Sequence, residues 1–449
     1  MAKITVEKGG RVSIPEQYLD RYGLKEGKEV YVWDRGEEGL VLQCPRADVR
    51  RVYIEPTSLC NLNCITCVRN VWSDETGNMD MDTFYTIVRQ LRDFPDIQDV
   101  TLAGFGEPLY HPEILRMARA IKDMGLELTI NTNGTLLNQD LAEELVNIEL
   151  DRIIISLDSG HAQLFGDIRV GANLDVVLSN LRGLNEIKRR RQSKYPVIGI
   201  EFVAMRRNVH EIADLPRLGS SLCASFIILT NLLPHTEDMK EEILYDIETR
   251  RAVSLPHTED MKEEILYDIE TRRAVSLPHT EGMKKEILYD VETRHAVSLP
   301  KHAVSLPKCI GWPVRMGVSW LQWGTMSYPR MYWGADRYCR FVGDRSLVIG
   351  WDGGVSPCYA LLHSYGYYIF GRYKRVSRYT IGNVRHEGLL ELWTCEEYVK
   401  FRDKVRRFAF PSCVDCGIDC GYTNVNQDCW GADPSCADCL YAQGIIRCP

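Results

Sequence analysis

The chain has 449 residues, enough for two or three domains, and its 45% hydrophobic and 26% charged residues are ordinary globular values. A formal charge of −8 provides no overall attraction to nucleic acid or an anionic membrane, and no run of about 18 apolar residues predicts a spanning helix. The opening MAKITVEKGG lacks the apolar core of a signal peptide, so a cytoplasmic protein is expected, and sixteen cysteines then point to metal rather than disulfides.

Residues 1–46 read as a separate unit. KITVEKGGRVSIP predicts strand, Gly-Gly turn and strand, EQYLDRYGL a short helix after Pro15, and KEVYVWDRGEEGLVLQ a hairpin turning at RGEEG. Over nearly its whole length this resembles the AbrB-type swapped-hairpin β domain, in which two chains interlock into one small barrel. The resemblance implies a homodimer. Members often bind DNA, but residues 1–44 carry seven basic against eight acidic side chains, so dimerisation or docking is expected rather than nucleic-acid binding.

From residue 51 to 232 strands and helices alternate. RVYIEPT, IQDVTLAG, LELTINTN, DRIIISLDS, PVIGIEFVAM and SFIILTNLL read as strands. MDTFYTIVRQLRDF, HPEILRMARAIKDMG, NQDLAEELVN and NLDVVLSNLRGLNEIKRRR read as helices between them. The α/β class follows, with a parallel sheet and right-handed crossovers. Functional residues just past the strand ends favour a partial (βα)6 barrel of the TIM type over a doubly wound open sheet.

Residues 233–308 contain a repeat. LPHTEDMKEEILYDIETRRAVS occurs identically at 233–254 and 255–276, and recurs at 277–298 with four changes. Each copy predicts one helix on which Met239, Ile243 and Ile247 share a face, in the first copy's numbering. Near-identity between copies points to a tandem duplication of one surface helix rather than a diversified partner interface. One copy is expected to pack on the barrel. Residues 309–449 form the last unit, aromatic-rich at first and cysteine-rich from 413 onward, where seven of the sixteen cysteines lie.

The chemistry begins at EPTSLCNLNCITCVRN, which sets Cys60, Cys64 and Cys67 on a loop after the first barrel strand. Three thiolates fall one short of the four that a zinc site or a complete four-iron cluster takes. They would leave one iron of a 4Fe-4S cluster open. The Cys-x3-Cys-x2-Cys loop resembles that of the radical S-adenosylmethionine superfamily, and its context strengthens the likeness. GFGEP at 104–108 resembles the family's Gly-Gly-Glu-Pro element, and NTNGT at 131–135 and ISLDS at 155–159 end the next two strands. The resemblance implies that the cofactor's amino and carboxylate groups chelate the open iron. One electron from the reduced cluster then releases methionine and a 5′-deoxyadenosyl radical. It also implies cofactor contacts from Gly104, Gly106, Glu107, Pro108, Thr132, Asn133, Ser156 and Asp158, although Asn-Gly and Asp-Ser would serve equally as turn residues. The sequence names no catalytic base. One departure is Thr66, where the family usually places an aromatic residue against the adenine.

Cys339-x13-Gly353-x4-Cys358 resembles the opening of the SPASM domain, the auxiliary-cluster extension of peptide-modifying radical enzymes. Cys413, Cys416 and Cys420 follow with a tighter third gap than usual, and then Cys429, Cys436, Cys439 and Cys448. These nine cysteines suffice for two auxiliary 4Fe-4S clusters, or for one cluster and a zinc site. Cys395 reads as a packing residue. The AbrB-type start, the cysteine trio and the ending CADCLYAQGIIRCP together resemble the maturases, or cofactor-modifying proteins, of tungsten-containing aldehyde ferredoxin oxidoreductases. That likeness implies a protein or peptide substrate, the partner oxidoreductase or its cofactor, and a reduced ferredoxin-type electron donor. Two alternatives are a radical enzyme acting on a small molecule and a non-enzymatic iron–sulfur redox sensor that binds DNA as a dimer.

Overall fold

The structure is a computed structural model and describes residues 5–22, 24–26, 30–34, 39–245, 332, 336–413, 416 and 424–447. Near the amino terminus, α1 (Glu16–Tyr22) and the antiparallel strands β1 (Tyr31–Asp34) and β2 (Leu40–Gln43) take the expected form. Val6 and Val12 form an isolated bridge across Gly9 and Gly10, whose positive φ angles of 87° and 79° suit the tight turn. The β1–β2 pair stays two-stranded and closes no barrel among the described residues of one chain.

The βα alternation produces the sheet it predicts. Strands β3 (Arg51–Ile54), β4 (Asp99–Leu102), β5 (Glu127–Thr132), β6 (Arg152–Ser156), β7 (Val197–Ala204) and β8 (Phe226–Asn231) pair in sequence order, every pairing parallel. Sheet and helices interlock because each helix carries one apolar stripe. Between β3 and β4, α2 (Met81–Leu91) starts at Asp80, whose Oδ1 accepts the Thr83 N–H at 2.7 Å, and it buries Phe84, Ile87, Val88 and Leu91. The next, α3 (Ile114–Lys122), buries Ile114, Met117, Ala118 and Ile121, with Pro112 just ahead of its first turn. Asn138 caps α4 (Gln139–Asn147). After β6 comes α5 (Ala162–Ile168), a short helix that the sequence pattern does not reveal. Asn173 caps α6 (Leu174–Arg191), whose last turn, Lys188 to Arg191, places positive charge at the negative end of the helix dipole. A second unforeseen helix, α7 (Leu215–Ser221), precedes β8.

The carboxy-terminal unit does not sit apart. Its strand β9 (Ser346–Ile349) runs parallel to β3 and extends the barrel sheet, with β10 (Gly354–Ser356) and β13 (Gly382–Asn383) beyond it. Strands β11 (Tyr365–Ile369) and β12 (Arg372–Val376) form a separate hairpin that turns at Phe370 and Gly371.

In the first repeat copy, the single-helix expectation fails within the described residues. Asp238–Glu242 is one 3-10 turn, and Ile243 leaves it with an extended backbone. The cause is tertiary. The Glu242 carbonyl accepts the Arg206 N–H at 3.0 Å, its carboxylate pairs with Arg207, and Met239 is buried against Ile168, Met205 and Leu232. This stretch packs on the barrel as expected, while Ile247, the later copies and most of the aromatic stretch lie outside the described residues.

Candidate functional site

The ends of β3 to β8 and the carboxy-terminal segment surround a cavity of about 260 Å³. The loop after β3 brings Cys60, Cys64 and Cys67 to its wall. That loop is held along its length. Asn63 and Ile65 donate N–H bonds of 2.9 Å to the carbonyls of Val170 and Ile168, and the Asn70 side chain donates to the Cys64 carbonyl at 3.0 Å. Burial pushes the Cys64 thiol up to about 11 despite nearby Arg169, and raises Cys67 as well. A metal cluster would therefore displace protons as it binds.

Gly104, Gly106 and Glu107 line the same cavity. A Cβ on Gly106 would collide with the Thr57 carbonyl, so only glycine lets the loop lie flat against the segment leading into Cys60. The buried Glu107 carboxylate is fully used. Its Oε1 accepts from Leu109 N–H at 3.0 Å and Thr132 Oγ1 at 2.6 Å, and its Oε2 accepts from Asn133 N–H at 2.7 Å. Pro108 opens the turn Pro108–Tyr110 just behind the wall. Asn133 reaches the cysteine loop directly, donating to Asn61 Oδ1 at 3.0 Å and approaching Cys60 Sγ at 3.8 Å. Thr132, Asn133 and Ser156 line the cavity, so one wall carries most of the residues that the sequence singles out.

Asp158 does not line it. Asp158 is wholly buried behind the wall, accepting the Val203 N–H at 2.9 Å, with Oδ2 2.8 Å from Arg169 Nη2. Arg169 is the residue that faces the cavity, and the sequence reading missed it. Burial opposes its charge, but Asp158, Cys64 and Glu201 outweigh that cost and keep the guanidinium protonated. Its Nε is buried with no hydrogen-bond partner, and so is Asn131 Oδ1. A donor and an acceptor left open beside three thiols suit the carboxylate and ammonium of an amino-acid ligand. Glu201, which accepts from Asn131 Nδ2 at 3.1 Å, and the apolar Val203, Leu232 and Leu233 complete that side. Thr66 lies in the wall, without an aromatic neighbour from the cysteine loop.

A second set of thiols gathers in the carboxy-terminal unit. Cys358, Cys436 and Cys439 line a smaller cavity with Lys374 and Tyr367. Cys339 joins them: Cys436 is within electrostatic reach of Cys439, Cys339 and Cys358. Burial raises all four thiols, Cys339 to about 12. One buried cation attends the group: Lys374 pairs with Asp438 and partly offsets the effect of burial on Cys436 and Cys439. Arg402 packs against the touching rings of Trp393 and Tyr398, 3.7 and 4.2 Å from their centroids, and Tyr398 is within electrostatic reach of Cys358 and Cys339. A cationic side chain beside buried thiols suits an anionic iron–sulfur cluster. Cys413 packs nearby, Cys416 and Cys429 are exposed, and Cys420 and Cys448 lie outside the described residues. Among the described residues no three His, Cys, Asp or Glu side chains converge on a point as a single ion requires; both sets of thiols border a cavity instead.

The Radical SAM superfamily profile matches residues 54–213, and that of the SPASM iron–sulfur cluster-binding domain matches 339–417. The tungsten-containing aldehyde ferredoxin oxidoreductase cofactor-modifying protein of Pyrococcus furiosus is 32% identical over 408 residues, covering 89% of this chain and 97% of that protein. A probable GTP 3′,8-cyclase of Pyrococcus abyssi is 34% identical over 177 residues, 39% of this chain and 55% of its own. The crystal structure of Streptococcus suis SuiB aligns with 86% of this chain and 70% of its own, at a TM-score of 0.49 and 17% identity. The chain belongs to the radical S-adenosylmethionine superfamily, as an enzyme with a SPASM domain that uses a 4Fe-4S cluster and S-adenosylmethionine, in the family of the cofactor-modifying protein.

Proposed function

We propose that this enzyme is a maturase, modifying a tungsten-containing aldehyde ferredoxin oxidoreductase, as a protein substrate or through its cofactor. The observation that carries the reading is the likeness along 97% of the Pyrococcus furiosus protein. In this reading Cys60, Cys64 and Cys67 supply three thiolates to a cluster, one short of a full set. When bound, cluster and cofactor together supply an electron and a carbon radical able to take a hydrogen atom from the substrate. The protein's own residues prepare that event. Gly104, Gly106 and Glu107 hold the loop that meets the cofactor's amino group, and Pro108 starts the turn that anchors it. Thr132 and Asn133 tie the loop to the cysteines, Ser156 lines the cavity beside them, and Asp158 orients Arg169. The Arg169 guanidinium takes the cofactor's carboxylate. Tyr359, Tyr441 and Ile446 close the cavity from the carboxy-terminal side and exclude water.

Cys339, Cys358, Cys436 and Cys439 hold one auxiliary cluster in this reading. Four of the five remaining thiols, Cys413, Cys416, Cys420, Cys429 and Cys448, serve a second, with one left over. A reduced ferredoxin-type protein is the electron donor. Incubation of the reduced enzyme with S-adenosylmethionine and the immature oxidoreductase tests the whole reading. A mass change is expected in the oxidoreductase polypeptide or its extracted cofactor, alongside 5′-deoxyadenosine. Cofactor cleavage that leaves both masses unchanged would contradict it.

Arg169→Leu should weaken S-adenosylmethionine binding at least about tenfold, the worth of one charge-assisted hydrogen bond, with cluster iron retained. Titration calorimetry under anaerobic conditions reads this, and unchanged affinity would remove Arg169 from the site.

The amino-terminal unit serves as a homodimer contact in the same reading. Val32, Leu40 and Leu42 share one face of the β1–β2 hairpin and are 59%, 73% and 39% exposed. The opposite face meets the rest of the chain, where Tyr31 donates to the Thr394 carbonyl at 2.9 Å. A lone two-stranded hairpin with an uncovered apolar face is marginal, and a second copy would cover it. Sedimentation should show a dimer for the native chain and a monomer for Leu40→Asp. A native monomer would refute the contact.

A further inference from the structure

Besides the packing of Phe105 on Tyr359 and Tyr365, the cofactor loop is tied to the auxiliary domain through a histidine and Glu55. Glu55 follows β3, and its side chain is wholly buried. Oε1 accepts the Phe105 N–H at 3.0 Å, in the middle of GFGEP, and a Cβ on Gly104 would collide with the Glu55 side chain. The Glu107 N–H then bonds to the Leu59 carbonyl at 2.8 Å, so this loop lies clamped along residues 55–59, just ahead of Cys60. The other carboxylate oxygen, Oε2, lies 2.9 Å from His363 Nε2, a side chain contributed by the carboxy-terminal unit.

His363 has a second carboxylate on its other nitrogen. Asp74 Oδ2 is 3.1 Å from Nδ1 and also accepts the Ser364 N–H at 2.9 Å. Trp72 lies over the imidazole with ring centroids 4.2 Å apart, and Phe105 meets it edge-on at 5.7 Å. Burial disfavours the imidazolium, but Glu55 and Asp74 together raise its pKa to about 9, so it is charged at neutral pH. The other charged groups around it are Arg378, within electrostatic reach of Asp74 and Glu55, and its partner Asp352. Removing the imidazolium would leave the buried Glu55 carboxylate with no cation but Arg378, which is already paired with Asp352, so the carboxylate would turn toward Arg378 or draw in water. Either change loosens the Phe105 N–H.

We propose that His363 is a positioning residue: by bridging Glu55 and Asp74 it fixes Gly104 and Phe105, so that S-adenosylmethionine affinity depends on the auxiliary domain being docked against the barrel. The proposal rests on the reading that the 104–108 loop meets the cofactor. It assigns His363 no contact with substrate or cofactor.

Its test uses the full chain with clusters reconstituted, comparing native protein, His363→Gln, Glu55→Gln and Asp74→Asn. His363→Gln should raise the KM for S-adenosylmethionine about five- to tenfold, with a smaller change in kcat and unchanged iron content. Backbone amides of residues 103–107 should exchange with deuterium faster in this variant even without cofactor. The double variant His363→Gln with Glu55→Gln should be no weaker than the worse single one, since both act through one link. If His363→Gln does not fold, Asp74→Asn, which removes only the outer carboxylate, carries the test with the same direction of change in KM and exchange. Unaltered KM and exchange in the folded variants would overturn the proposal. A native chain that failed to bind S-adenosylmethionine would overturn the loop reading instead.

Discussion

With Cys60, Cys64 and Cys67 all replaced by alanine, the anaerobically purified protein should release neither methionine nor 5′-deoxyadenosine from S-adenosylmethionine. It should nevertheless keep the iron bound by its carboxy-terminal cysteines. The expectation follows from position. These three thiols line the cavity that Arg169, Thr132 and Asn133 also face, whereas Cys339, Cys358, Cys436 and Cys439 gather elsewhere, in the carboxy-terminal unit. The loop should survive the substitution, because Asn63 and Ile65 hold it through backbone bonds to Val170 and Ile168 that involve no thiol. Cleavage rates of the native and triple-variant proteins under a strong reductant, with iron and sulfide analysis, check both halves. Undiminished cleavage would remove the trio from catalysis, and loss of all iron would show that the two sites are not independent.

The converse substitution has a comparably large effect on a different readout. Replacing Cys436 and Cys439 by alanine should remove about four irons, one cluster's complement, while S-adenosylmethionine cleavage persists. Product formation should fall steeply. Burial holds all four thiols of this group above the ordinary cysteine range, so without metal they are neutral. Losing two ligands and the cluster they hold leaves space among buried side chains beside the Lys374–Asp438 pair, and the hairpin carrying Lys374 should loosen. Iron content, product yield and the ratio of 5′-deoxyadenosine to product measure this. Unchanged iron would show that the cluster uses other cysteines.

Why the barrel could be read and other features could not is a matter of range. Each of its six strands is an apolar run, and the helices between them that the sequence shows carry their own stripe and in most cases a cap, as with Asp80 before α2, Asn138 before α4 and Asn173 before α6, so the information is local. Strand β9 carries an equally apolar run, SLVI, but only its parallel register against β3 makes it part of the barrel sheet, and that pairing spans most of the chain. Arg169 was hidden for a similar reason. It follows a short helix with no motif, and it faces the cavity paired with Asp158, which comes from the segment after β6. Asp158 looked like a contact by its place after β6; three-dimensional packing put it one layer back. In the tail, Cys413 and Cys416 have the same spacing as Cys436 and Cys439, and burial, which spacing does not encode, separates the exposed Cys416 from the buried Cys436. The repeat failed in the opposite sense. Its local periodicity was clear, and the bonds from Glu242 to Arg206 and Arg207 overrode it.

Electron paramagnetic resonance of the reduced protein, recorded with and without S-adenosylmethionine, bears most directly on the claim that three thiolates leave one coordination position for the cofactor. The signal belonging to the Cys60, Cys64 and Cys67 site should shift on addition of S-adenosylmethionine and be missing from the alanine variant, while the signals of the carboxy-terminal clusters stay as they were. A spectrum indifferent to S-adenosylmethionine, in protein with its full iron complement, would contradict it.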